Sequence, residues 1–229
     1  MAFTIAPPRD VRTAGTGIVK TYIAGARIPF GAAVIRAGAG TVKPAILEDT
    51  DLTIGFALED EEEHLYPGFY EKYEPVPVAI SGTVNALIAA IDDYDLLQGD
   101  YLEHIDITSD TMASGVGVLA EAGSHAGETM TTHVIAQLLE DLALKDETYK
   151  APSSTPTAGE STIAMTDGDP TIMGLHVGDY IIIRDSDGTT AQVNRVTAIT
   201  DTQLTVLIPI TVAAADYIHA VRQAEVRIL

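Results

Sequence analysis

Six histidines, His64, His104, His125, His133, His176 and His219, are the side chains best suited to metal binding or proton transfer. None is spaced i, i+4 from another and none sits in an HExxH pattern, so no zinc-hydrolase helix is written into the chain. Cysteine is absent, which removes disulfides, thiolate metal sites and thiol nucleophiles together. Glu59-Asp60-Glu61-Glu62-Glu63 is a run of five acids. Calcium needs oxygens converging from a shaped loop, whereas a bare run repels itself and stays solvated. An exposed loop is expected there, after a strand that ends around Leu58. Asp185-Ser186-Asp187-Gly188 opens like a calcium loop, but its twelfth position is Val196 and not Glu, so a hairpin turn is expected. Asp167-Gly168-Asp169-Pro170 reads as turn chemistry too.

Phosphate and nucleophile motifs fare no better. Ala37-Gly38-Ala39-Gly40 is followed by Thr41-Val42-Lys43-Pro44, which offers no helix N-terminus to a phosphate. The ASGVGV stretch at 113–118 fails the same test. Ser81 lies in ISG, outside any GxSxG pattern, and spacing assigns it no His–Asp partners. Carboxylates abound, but abundance in an acidic chain does not make an acid–base pair. These residues predict no catalytic site, no metal and no cofactor, and therefore not an enzyme.

The elements that would position any site follow from composition and pattern. Of 229 residues, 46% are apolar, enough for a real core. With no Trp, four Phe and nine Tyr, that core must be mainly aliphatic. Asp and Glu number 33 against 13 Lys and Arg, a net charge of −20. Phosphate neutralisation needs basic residues, so nucleic-acid binding is not expected. High charge of one sign keeps a protein soluble at high copy number. Only five of the basic residues are Lys, a habit shared with proteins of salty cytoplasm. The apolar runs are short and broken by Gly, Pro or charge, far below the roughly 18 residues of a membrane span.

Residues 1–17 hold Pro7-Pro8 and then Thr13-Ala14-Gly15-Thr16-Gly17, and read as an extended arm. From 18 to 144, runs such as IVKTYIAG, GAAVIRAG, VPVAISGTV and DYLEHIDIT alternate or stay apolar for a few residues between turn signals. This is the pattern of a β-barrel or sandwich. Residues 85–97 and 134–144 are rich in Ala, Leu and acids, and short helices are open alternatives there. KDETYKAPSSTPTAGE, at 145–160, is the best linker candidate. A second β pattern, 161–229, follows. Gly99-Asp100-Tyr101-Leu102 resembles Gly178-Asp179-Tyr180-Ile181, each marking a turn that enters a strand.

One series of segments is familiar. Ile28-Pro29-Phe30-Gly31-Ala32-Ala33-Val34 is followed by Val42-Lys43-Pro44-Ala45 and Ile54-Gly55-Phe56-Ala57-Leu58-Glu59-Asp60. Then come Tyr70, Tyr73, Val76-Pro77-Val78-Ala79-Ile80-Ser81-Gly82-Thr83-Val84 and Gln98-Gly99-Asp100-Tyr101. Gly115-Val116-Gly117-Val118-Leu119 and Val134-Ile135-Ala136-Gln137-Leu138 close the series. This order resembles the capsid decoration, or structural cement, proteins of tailed bacteriophages and related archaeal viruses, over roughly residues 25–140.

The resemblance implies a virion protein on the outer capsid surface, made in the host cytoplasm. It implies homotrimers at three-fold and quasi-three-fold positions, with the major capsid protein as partner and neither nucleic acid nor membrane involved. The expected fold is all-β: a small β-barrel or β-tulip-like first domain, 18–144, with an appended C-terminal β-barrel or sandwich domain, 161–229, projecting outward. For shell contact the arm is the expected grip, through Phe3, Ile5, Pro7, Pro8, Arg9 and Arg12. Two of the 13 basic residues lie there, a positive spot for an acidic shell. Two rival readings stand beside it. One is a carbohydrate- or receptor-binding module in 161–229, where Tyr180 and Tyr217 are the aromatics; the other is a small β-barrel hydrolase.

Overall fold

The computed structural model describes residues 17–45, 53–60, 63–89, 95–104, 117–121, 134–142, 149–186, 190–212 and 215–229. The strands of the first part are β1 (Val19–Ala24), β2 (Ile28–Pro29), β3 (Ala33–Gly38), β4 (Thr41–Pro44), β5 (Gly55–Ala57), β6 (Phe69–Tyr70), β7 (Pro75–Ala79) and β8 (Thr83–Ala89). Next come β9 (Tyr101–His104), β10 (Leu119–Glu121), β11 (Ala136–Leu138), β12 (Tyr149–Lys150) and β13 (Thr162–Ala164). A four-residue helix, α1 (Asp169–Ile172), precedes β14 (Tyr180–Arg184), β15 (Ala191–Thr200), β16 (Gln203–Val206) and β17 (Tyr217–Ile228). The chain is all-β, as its turn-punctuated apolar runs predict.

Strands β1-β4-β3-β5-β7 close into a five-stranded barrel. Its inward residues, among them Val34, Val42, Ala57, Val76 and Val78, belong to one buried cluster. The alternate residues Ala33, Ile35, Phe56 and Ala79 pack outward into a second cluster. Period-two alternation therefore serves two cores at once. Prolines in β7 are tolerated by register. In the antiparallel β1–β7 ladder, Lys20 pairs with Val78 and Tyr22 with Val76. Ile80 N–H donates to Ile18 O and Ala24 N–H to Glu74 O, so the even-numbered residues of β1 make the ladder bonds. Pro75 and Pro77 face the odd ones, where no N–H is needed.

A second ring surrounds the second cluster. β8 pairs with β10, β10 with β9, β9 with β11, β11 with β17, and β17 with β8. The third layer runs β17-β14-β15-β16-β13. β12 lies on the far edge of β17, and Ser153 N–H donates to Ala164 O beyond it, bringing the last strand back toward the first. β14 is buried on both faces: Ile181 and Ile183 enter a third cluster, while Tyr180 and Ile182 enter the barrel cluster. That explains its unbroken apolar run, YIII.

A polar lock joins the barrel to this layer. The Tyr180 hydroxyl donates to Gly68 O (2.8 Å), and Arg195, 1% exposed, donates from Nε to Gly178 O (2.7 Å) and from Nη1 to Pro67 O (3.4 Å). Gly68 has φ +96°, and a Cβ there would lie 2.5 Å from the Tyr180 oxygen, so only glycine fits. Burial pushes the Tyr180 pKa up and draws that of Arg195 down.

Two stretches show strand pairing that their local composition does not suggest. Residues 85–89 and 136–138 are strands rather than helices, because β8 and β11 each flank β17 and helix propensity yields to that pairing. The compositional break at 145–160 is not a break in pairing. Within it, Tyr149 and Lys150 pair with β17, and β17 joins 161–229 to β8 along seven residue pairs. Loop-like composition reports local backbone preference and says nothing of which distant strand returns.

A chain truncated after Ala158 would leave β8 without β17 and expose Leu87, Ala89, Val84 and Ile88. Such a chain is expected not to fold. Soluble expression with a cooperative melting transition would show that 18–144 is self-sufficient.

Candidate functional site

Four turns in this molecule share one construction. In residues 97–100, 176–179, 157–160 and 71–74, the fourth residue is Asp or Glu and its carboxylate accepts from the first residue's N–H, at 2.7, 2.8, 2.9 and 2.8 Å. The fourth N–H in turn donates to the first carbonyl, at 3.0–3.1 Å. The third residue has φ +105° at Gly99, +102° at Gly178, +96° at Gly159 and +79° at Tyr73. A type II turn demands that positive φ, which glycine adopts freely and other residues adopt at about 1–2 kcal/mol. Three sites carry glycine and one carries tyrosine. The tyrosine is 75% exposed, so burial does not offset the strain.

Tyr73 stands at one end of an exposed apolar flank. Its N–H donates to Ala24 O, at the end of β1. The outward residues of β1 are Val19, Thr21 and Ile23, beside Pro75 and Pro77 of β7. Ile18, immediately before them, is 56% exposed, and Val19 and Ile23 are exposed as well. Lys20 is exposed on the same strand, and the Lys72 ammonium lies 5.0 Å from the centre of the Tyr73 ring. In a chain of net charge −20, the Lys72 ammonium puts a positive charge at the Tyr73 end of this apolar surface.

Behind Tyr73 sits a buried ion cluster. The His64 side chain is 6% exposed, with Nδ1 at 3.0 Å from Glu74 Oε2 and Nε2 at 2.6 Å from Asp60 Oδ1. Its ring packs edge-on against Phe30 (5.2 Å) and Tyr70 (4.8 Å), and the Tyr70 hydroxyl donates to Leu58 O. Two carboxylate acceptors fit an imidazolium, both of whose nitrogens donate. Burial works against the charge, but the hydrogen bonds and fields of Asp60 and Glu74 outweigh it and raise the His64 pKa above the ordinary 6.5. Next door, Arg27 pairs with Glu71 and lies over the Tyr66 ring.

The expected shell-contact residues Phe3, Ile5, Pro7, Pro8, Arg9 and Arg12 lie outside the described residues, as do His125, His133, Glu61 and Glu62. Asp60 departs from the solvated-loop reading, because it is drawn inward as a ligand of His64. Asp185 behaves as turn chemistry: its carboxylate accepts from Thr190 N–H at 3.0 Å, closing β14 onto β15. His219 is buried and accepts from Arg184 Nε at 2.9 Å, whereas His176 is largely exposed beside Asp179. Among the described residues, no group of three or more His, Asp and Glu could hold a metal ion. From sequence, Tyr73 enters only within the resemblance, and neither it nor the flank is given a role in contact there. The signal was present as a turn pattern, x-x-Gly-Asp/Glu before a strand, broken once by tyrosine.

No family model matches the chain, and no curated protein matches it.

Replacing Tyr73 by Gly is expected to stabilise the protein by about 1 kcal/mol, since strain is relieved and little burial is lost. An unchanged or lower midpoint in denaturant melts would show that the ring is held by contacts that matter to the fold. His64 gives a pH signature. Its folded pKa is raised, so its stabilisation is full below 6.5 and is lost as pH rises through the folded value. As pH rises above about 6.5 the wild-type chain should lose stability relative to His64→Gln. Parallel profiles for the two proteins would mean that His64 is neutral in the fold.

Proposed function

We propose that this protein is a virion structural protein that decorates and stabilises the outer surface of an icosahedral capsid, as a trimer at three-fold and quasi-three-fold positions. The observation that carries the reading is the barrel flank, where a strained, solvent-facing Tyr73 stands at the Ala24 end of β1 and exposed Ile23, Val19 and Ile18 run from there to the other end. A backbone conformation that costs stability and serves no core contact points to a surface retained for contact. Body and flank then divide the work. Three buried clusters and the Tyr180–Arg195 lock make a stiff block, and the flank meets the major capsid protein. The arm residues Phe3, Ile5, Pro7, Pro8, Arg9 and Arg12 continue that contact from the start of β1. Net charge of −20 keeps the protein soluble at high copy number and away from packaged nucleic acid.

The rival reading of 161–229 as a carbohydrate- or receptor-binding head calls for an exposed aromatic platform. Tyr180 is buried, and Tyr217 is half-buried with the Arg184 guanidinium 4.4 Å from its ring centre.

Cryo-electron microscopy of the particle tests the proposal. Density for this chain is expected outside the shell at three-fold positions, and density within the head or in the tail would sink it. On purified undecorated shells, Tyr73→Gly should lower occupancy several-fold although it raises stability. Full occupancy by that variant would move the grip away from the flank.

A further inference from the structure

The free edge of β1 points to a second property, one that does not require the virion reading. The odd-numbered residues of β1 direct their N–H and C=O groups away from β7. At the end of the strand that edge is filled: Ile23 pairs with Thr41 of β4, and its N–H donates to Gly40 O (2.9 Å). β4 begins at Thr41, so its pairing covers only Ile23 and Ala24. Among the described residues, no strand pairs with this edge at Val19 and Thr21. Two N–H and two C=O groups there form a template for one more strand. The outer side chains of that template, Val19 and Thr21, are β-branched and exposed, as a strand-accepting edge requires.

Lys20 decides which strand. Consider two copies of this chain pairing through β1 in antiparallel register about the open edge. Val19 of each copy would bond with Thr21 of the other, and the two Lys20 side chains would stand directly opposite on one face. Like charges in that position are destabilising, and lysine on an edge strand is a common guard against self-pairing. A carboxylate in the same place would be attracted. We propose that the β1 edge accepts an extended segment of another, acidic protein, with Asp or Glu opposite Lys20 and β-branched residues opposite Val19 and Thr21. Backbone hydrogen bonds supply the attachment, and the Lys20 pair supplies the choice of partner.

The experiment uses the full chain, labelled with 15N, and two blocked pentapeptides, Thr-Val-Glu-Val-Thr and Thr-Val-Lys-Val-Thr. The glutamate peptide is expected to shift the Val19 and Thr21 amides and slow their exchange with solvent. The lysine peptide should bind about five-fold more weakly. Lys20→Glu should reverse that order, and its melting midpoint should match the wild type because Lys20 is exposed. Equal response to both peptides, or no reversal in the variant, overturns the role of Lys20. No response at Val19 and Thr21 with millimolar peptide overturns the docking edge itself. Slow exchange at both amides in the free chain at high dilution would show the edge already filled from within. Protection that grows with protein concentration would show a second copy there. Either result overturns the proposal.

Discussion

Val221 sits between Tyr180 on one edge of β17 and Ala89 on the other, and the rest of the structure depends on this shared strand. Along its length β17 takes hydrogen bonds from β14 and then β11 on one side, and from β12 and then β8 on the other. Its even-numbered apolar residues feed two different cores: Ile218 and Ala220 enter the third cluster, Ala224 and Val226 the second. Val221, on the opposite face, enters the barrel cluster. A slip of one residue would turn every one of these side chains to the wrong face, so register here is set three times over. The chain's last strand therefore completes cores begun by its earliest ones, and the whole must close together.

That dependence explains what could be read from sequence and what could not. Short apolar runs between turn signals show an all-β chain, and the turn at Asp185 and the matching Gly99 and Gly178 turns are legible because their chemistry is local. The alternation of β17 is visible in YIHAVRQAEVRI, but its partners are not, since pairing of Arg222 with Ile88 spans more than half the chain and leaves no mark on either. Lys145 to Glu160 has the composition of a linker, yet Tyr149 and Lys150 lie against β17. Asp60 looked like one acid among five, and only the fold brings His64 within 2.6 Å of it. The arm residues chosen from sequence were an inference about a partner, while the flank depends on which residues of β1 face outward, a property of the closed barrel.

Acidity also takes a different meaning once the turns are seen. Asp100, Asp179, Glu160 and Glu74 are not spare surface charge; each caps the first N–H of the turn that launches a strand. A carboxylate bonded to a backbone N–H is worth more than a neutral cap, so part of the acid excess is construction material for strand starts. Asp179 serves twice, since Arg222 also reaches it (3.3 Å) while bonding Met173 O and Gly174 O. This ties the α1 corner to β17 by the same charge that shapes the turn.

Against that economy of glycine and carboxylate, the turn at 71–74 stands apart. Glu74 performs the usual cap and at the same time pairs with His64, so the turn is held from behind by a buried imidazole ring and from the side by Tyr73 N–H on Ala24 O. Such anchoring can hold a non-glycine residue at positive φ, because the surrounding bonds over-determine the backbone. The His64 cluster thus does more than fill the barrel end. It supplies the restraint that lets a tyrosine stand where glycine would be easier, with the Lys72 ammonium 5.0 Å from the ring centre. The buried His64 cluster and an aromatic that is 75% exposed are thus two ends of one turn, joined through Glu74.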